Sequence, residues 1–295
     1  MRRPFALALA ALLALPAAAF AWGGDGHRIT AAFAFSRLRP TTQQAVLDLL
    51  ARRGKRCGNP NDKRTPCAIE SIVTLADAAT LPDSFRSEEG GAVGGDWHFV
   101  NIDNGNPTFD WKRDCAFDDC VVGRIERLKA LLADRTKSDT MRADALIYLT
   151  HFAGDIHQPF HCTQRTVDGK SDQGGNLVKV TLAADVDVPE TFRTNANLHG
   201  VWDSTIIART HLSVDDYVKR LTAMLGGRDP HAVAGSLETV DWANESHSIA
   251  SQEYVSENAT LDKAYFDQAE SEVDKRLLLG GLRLAAMLEA ALGGS

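Results

Sequence analysis

Apolar residues recur every three to four positions over residues 29–38, 45–51, 69–79, 121–132, 143–152, 198–208, 217–225, 242–255 and 265–292. That spacing lines one face of an α-helix, so the chain reads as mainly α. Thr41 before Gln44 and Ser138 before Met141 mark N-cap regions, while Pro40, Pro159 and Gly226-Gly227 punctuate helix ends. Only 176–182, with Leu177, Val178, Val180 and Leu182, carries a strand pattern, and a partner at 186–192 would complete a small β-hairpin. No linker, repeat or low-complexity tract divides residues 22–295, which predicts one compact multi-helix domain.

Residues 1–21 break the pattern. Arg2-Arg3 is followed by an Ala/Leu-rich run over 5–18 and then by Ala19-Phe20-Ala21, a small-x-small site of the kind signal peptidase cuts. The run is shorter than the ~20 residues that a membrane span needs. The expectation is a signal peptide removed before Trp22, giving a secreted or periplasmic product with no stable membrane association. Such a compartment permits disulfides. Cys115 and Cys120 enclose a short acidic loop and Cys57 and Cys67 a Gly/Asn/Pro-rich one, so each pair can close locally, leaving Cys162 as a buried free thiol.

Composition narrows the function. The chain has 295 residues, 44% hydrophobic and 24% charged, which suits a globular fold with a sizeable core. Its 32 Lys+Arg against 39 Asp+Glu give a net charge of −7, which excludes nucleic-acid binding by a bare basic groove. An anionic substrate would need an attraction that the formal count omits, such as bound cations.

The histidines supply it. Residues four apart on a helix share a face, so His151 and Asp155 can hold one ion, as can His199 and Asp203. A third such pair, His211 and Asp215, is set aside because Ser213 reads as a helix cap that leaves His211 outside. Pro159 ends the first helix and turns the backbone, so that His161 faces a different ion from the one at His151 and Asp155. His157, two residues from Asp155, faces away and buttresses the site through a hydrogen bond. His231 and His247 have no such partner, and Trp97, Trp111, Trp202 and Trp242 read as core.

The runs His151-Phe152-Ala153-Gly154-Asp155-Ile156-His157-Gln158-Pro159-Phe160-His161 and Asn197-Leu198-His199-Gly200-Val201-Trp202-Asp203 resemble the zinc-dependent single-strand nucleases of the S1/P1 family. Trp22, Gly26-His27, Leu75-Ala76-Asp77, Asp96-Trp97-His98-Phe99-Val100-Asn101, Gly174-Gly175-Asn176 and Trp242-Ala243-Asn244-Glu245-Ser246 follow the family's order, so the resemblance covers nearly all of 22–295. It implies the compact α fold of the related zinc-dependent phospholipase C and P1 nuclease, with three Zn2+ per chain. Asp77, His98, His151 and Asp155 would hold the first. Trp22, through its α-amino group and carbonyl oxygen, would hold the second with His27 and Asp155. His161, His199 and Asp203 would hold the third. The last carboxylate is characteristically Glu in the phospholipase branch, so Asp203 favours the nuclease.

The resemblance further implies hydrolysis of single-stranded DNA and RNA to 5′-phosphorylated products, with 3′-nucleotidase action on mononucleotides, by a water held between the ions of Asp155, with Asp77 orienting it or accepting its proton. Phe99 matches the family's base-stacking position, and Asn101 stands where fungal members carry an Asp that contacts the base. Three residues beyond Asp77 the family places a basic residue; here Thr80 stands there, and Arg86 or another cation would have to replace it. A monomer is expected. A phospholipase C would instead release diacylglycerol from vesicles without digesting single strands, and a non-catalytic zinc-binding protein would hydrolyse neither.

Overall fold

The structure is a computed structural model that describes residues 22–53, 74–88 and 95–294; the expected signal peptide and the Cys57 and Cys67 pair lie outside these. Helix α1 (Gly24–Arg37) leads into α2 (Pro40–Arg52), with the short α3 (Leu75–Ala78) and α4 (Leu81–Glu88) after them. A turn, α5 (Trp111–Asp114), precedes α6 (Val121–Ala133) and α7 (Asp139–Asp155). The second half comprises α8 (Leu198–Gly200), α9 (Ile206–Arg209), α10 (Val214–Leu225), α11 (Pro230–Ala234), α12 (Thr239–Glu253) and α13 (Lys263–Leu292).

Helix α7 starts where the sequence says it should: the Ser138 side chain accepts the Met141 N–H at 3.3 Å. From Ala143 to Asp155 it is buried almost without interruption, as befits a helix that other helices cover on several sides. It packs against α6, α2 and α1, while α13 runs along α1 and reaches α6 and α7. Two apolar clusters result. One gathers α2, α6 and α7, the other Trp22, Trp202, α10 and the first half of α13; α1 and α13 contribute to both. Ser213 likewise caps α10, accepting from Asp216 N–H at 3.2 Å, and His211 lies outside with φ 52° and pairs with Asp187.

Several expectations are corrected. Thr41 does not cap α2; Arg39 occupies that position and Pro40 the first helical one, where its missing N–H costs nothing. The strand pattern at 176–182 shortens to β3 (Val180–Leu182), which pairs in parallel with β4 (Ala259–Leu261) rather than with 186–192. The small hairpin lies elsewhere, β1 (Thr166–Val167) against β2 (Lys170–Ser171) around Asp168-Gly169, a pair suited to the positive φ of both turn residues. Trp202 and Trp242 are core residues, but Trp97 is only half-buried and Trp111 is 43% exposed. Cys115 and Cys120 form a disulfide, and Cys162 is a buried free thiol whose pKa burial pushes up to about 12.

Candidate metal centre

Four segments converge on the C-terminal end of α7. Its last turn delivers His151 and Asp155, four apart on one face. The chain then turns through a 3-10 segment, Pro159–Cys162, which carries His161. An extended run brings His98: residues 98, 100 and 102 point inward and are buried, while Phe99 and Asn101 alternate outward. Val100 N–H donates to the His161 carbonyl at 2.8 Å and Gln164 N–H to that of Ile102 at 2.9 Å, locking this run against the turn. Finally, the Asn197 side chain caps α8 at Gly200 N–H, and a π-helical turn, Val201–Thr205, sets Asp203 opposite His199. Such turns recur at functional sites because the extra residue re-aims a side chain.

Glycine opens the remaining approach. Asp203 carbonyl accepts Gly23 N–H at 2.9 Å, which places Trp22 and the start of α1 beside the π-turn. Trp22 is fully buried, its indole N–H donating to Gly154 carbonyl at 2.7 Å. A Cβ on Gly154 would lie 2.8 Å from His27 Nδ1, so only glycine lets His27 reach α7. His27 stacks on His151 with centroids 3.8 Å apart and sets Nε2 3.3 Å from Asp155 Oδ1.

Three groups of donor atoms emerge, each within 4.8 Å: His27, His151 and Asp155; Asp83, His98 and His151; and His161, His199 and Asp203. Asp83, which sequence reasoning did not single out, stands in the group where Asp77 was expected. Its Oδ1 lies 3.7 Å from His98 Nδ1 and 3.6 Å from His151 Nε2. Asp77 is engaged elsewhere: its carboxylate accepts from Thr74 Oγ1 at 2.8 Å and its N–H bonds back to that hydroxyl, a closed capping arrangement at the start of α3. A signal for Asp83 was present in the sequence, since Asp83-Ser84-Phe85-Arg86 has the basic residue three positions on that Asp77 lacks.

The donor chemistry fits a divalent cation. His151, His161 and His199 each donate from Nδ1 to a backbone carbonyl, of Ala79, His98 and Gly174 respectively, all at 2.7 Å. Each ring is thereby oriented with its Nε2 turned inward. His161 and His199 bring those two nitrogens within 3.2 Å of each other. Buried His27 Nδ1 and Nε2, Asp83 Oδ1 and Asp155 Oδ1 have no hydrogen-bond partner, a costly arrangement for a site serving packing alone. Imidazole and carboxylate donors without thiolate suit zinc, since the Cys162 thiol turns toward the Ile156 carbonyl.

Charge is distributed unevenly. Burial raises the Asp203 carboxyl well above its ordinary range and takes His161 down to about 3, so that imidazole is neutral. Burial also opposes charge on His151, but the Asp155 and Asp83 carboxylates overcome it and lift His151 to about 9. His157 behaves as a buttress. Burial and then Arg276 and Arg283 hold it well below its usual pKa, with Nδ1 donating to Ala153 carbonyl and Nε2 accepting from Arg283.

A cavity of about 290 Å³ opens beside the histidines, lined by His98, His161 and His199 together with Phe99, Asn101 and Gln173. No helix among the described residues is long and apolar enough to cross a membrane. Comparison with known proteins adds that residues 22–293 match the S1/P1 Nuclease family model. Endonuclease 2 of Arabidopsis thaliana is 29% identical over 92% of this chain and 91% of its own. Nuclease S1 of Aspergillus oryzae is 23% identical over 95% of each, and nuclease P1 of Penicillium citrinum 25% identical over 72% of this chain and 82% of its own.

Proposed function

Because the chain belongs to the S1/P1 nuclease family, we propose that it is an exported zinc-dependent endonuclease, hydrolysing single-stranded DNA and RNA to 5′-phosphorylated products and acting on 3′-mononucleotides. Residues 1–21 are its signal peptide and 22–295 its catalytic domain. The observation that carries this reading is that three neighbouring donor groups form beside a cavity which His98, His161 and His199 line and whose wall offers Phe99 beside His98.

Asp83, His98, His151 and Asp155 would hold one zinc, with Asp83 in the place first given to Asp77. His27 and Asp155 would hold a second together with Trp22, whose α-amino nitrogen becomes a ligand only once residues 1–21 are removed and the amine is unprotonated. His161, His199 and Asp203 would hold a third. Zinc, when bound, supplies Lewis acidity: it acidifies water and stabilises charge on phosphoryl and leaving oxygens.

The chain's own residues do the rest. Asp155, fully buried, presents its two oxygens to separate donor groups, Oδ1 toward His27 and Oδ2 toward His98 and His151. Asp83 Oδ1, free of other hydrogen bonds, can orient water or take its proton. Phe99 offers a face to an unpaired base, which favours single strands, in which bases are free to leave the stack. Arg86 stands three positions beyond Asp83, so the expected phosphate-binding cation is present in the sequence. Incubating mature protein with single-stranded DNA, duplex DNA, RNA and phosphatidylcholine vesicles tests the proposal. Digestion of the single strands with 5′-phosphate ends supports it; diacylglycerol release without digestion contradicts it.

A further inference from the structure

We propose that Gln173 is a second base-reading residue of the cavity, acting with Asn101 to make its base recognition broad, an inference that rests on the nuclease reading above. Gln173 lines the same cavity as Phe99, Asn101 and the histidines. Its backbone is left-handed, with φ 55°, and it is followed by Gly174 and Gly175 at φ 59° and 81°. Glycine or Asn is the usual occupant of such a position, because a Cβ crowds the backbone there. Here a residue with a long amide side chain occupies it, and hydrogen bonds hold its backbone in place.

Gln173 N–H donates to Ser171 Oγ at 3.0 Å, and that hydroxyl donates to Gln164 Oε1 at 2.8 Å. Gln173 carbonyl accepts from Asn176 Nδ2 at 2.9 Å. The next carbonyl, of Gly174, accepts from His199 Nδ1, so this turn is tied directly to a donor of the metal centre. A Cβ on Gly174 would fall 2.5 Å from Phe160 carbonyl, which fixes how closely the turn approaches the 3-10 segment. The backbone is thus anchored on both sides of Gln173, while its exposed side chain is committed to none of these bonds.

An amide presents a donor and an acceptor side by side and can exchange them by rotation. It therefore suits bases that offer an amino group, adenine and cytosine, and bases that offer a carbonyl, guanine and thymine or uracil. Asn101, also exposed and in the same lining, adds a second neutral amide. Gln173→Glu removes the donor and keeps the shape, so it should favour amino bases over carbonyl bases.

The test measures kcat/KM for zinc-loaded mature protein on single-stranded oligo-dA, oligo-dC and oligo-dT. In Gln173→Glu the dA/dT and dC/dT ratios should rise about tenfold over wild type, within the range of one bidentate base contact. Ratios taken within one preparation cancel any loss of folded protein, which a merely structural role would produce. Ratios within about twofold of wild type overturn the inference. If Gln173→Glu is inactive, Gln173→Asn and Gln173→Leu decide: the inference requires the amide variant to keep a lower KM than the apolar one on all three strands, and equal KM values overturn it. Wild-type protein that cleaves no strand would instead overturn the nuclease reading.

Discussion

Gly154→Ala separates the metal centre from the fold that carries it. The added methyl would stand 2.8 Å from His27 Nδ1, 3.2 Å from its Cε1 and 3.5 Å from Trp22 Cδ1. His27 has no free space to retreat into, being buried and stacked on His151. Overpacking of this kind costs about 1–3 kcal/mol, whereas Ala in place of Gly inside a helix returns about 1 kcal/mol. Metal-free protein should therefore lose no more than about 2 kcal/mol in urea unfolding. The displaced imidazole, however, leaves Asp155, and disturbed ligand geometry lowers metal affinity by about 10–100-fold. Zinc titration against a chelating indicator should show one weakened site, with the group of His161, His199 and Asp203 retained. Wild-type affinity at every site, in a folded Gly154→Ala protein, would refute the placement of His27.

Asp83→Asn and Asp77→Asn should diverge. The first should lower zinc content and reduce kcat by about 100-fold or more, whereas the second should cost only a fraction of the ~1 kcal/mol of a helix cap, read by urea unfolding and single-strand digestion. A chain carrying extra residues before Trp22 should bind one zinc fewer than one beginning at Trp22, as elemental analysis would record; equal content excludes the amine as a ligand. Stability should also depend on pH through Glu245. Burial raises its pKa, but the hydrogen bonds from Arg283 and Arg276 outweigh this and hold it below 4.5. Its contribution is then complete above pH 4.5 and lost as pH falls through the lowered value. Urea midpoints of metal-free Glu245→Gln should fall less steeply with acid over that window than those of wild type; parallel profiles would show that Glu245 does not contribute.

What the sequence revealed followed from local geometry. His151 with Asp155 and His199 with Asp203 are pairs four apart, and one helical or π-helical turn suffices to bring each together. Pro159 announced the turn that carries His161. Asp77 and Asp83 lie within adjacent short helices, and only tertiary contact places Asp83 rather than Asp77 beside His98 and His151. Strand β3 was legible, but its parallel partner lies 79 residues on in register, at Ala259 for Val180, which no local pattern encodes. The Asp168-Gly169 turn did encode its hairpin, although strands this short carry little alternation. The network of buried Arg276 and Arg283 with the half-buried Glu245 behind His157 joins α12 to α13 and likewise has no short-range signature.

Elemental analysis of active protein beginning at Trp22 tests the central claim most directly. Three zinc ions per chain, with digestion of single strands abolished by chelation and restored by zinc, is the predicted result. Full activity in protein free of divalent metal would contradict it.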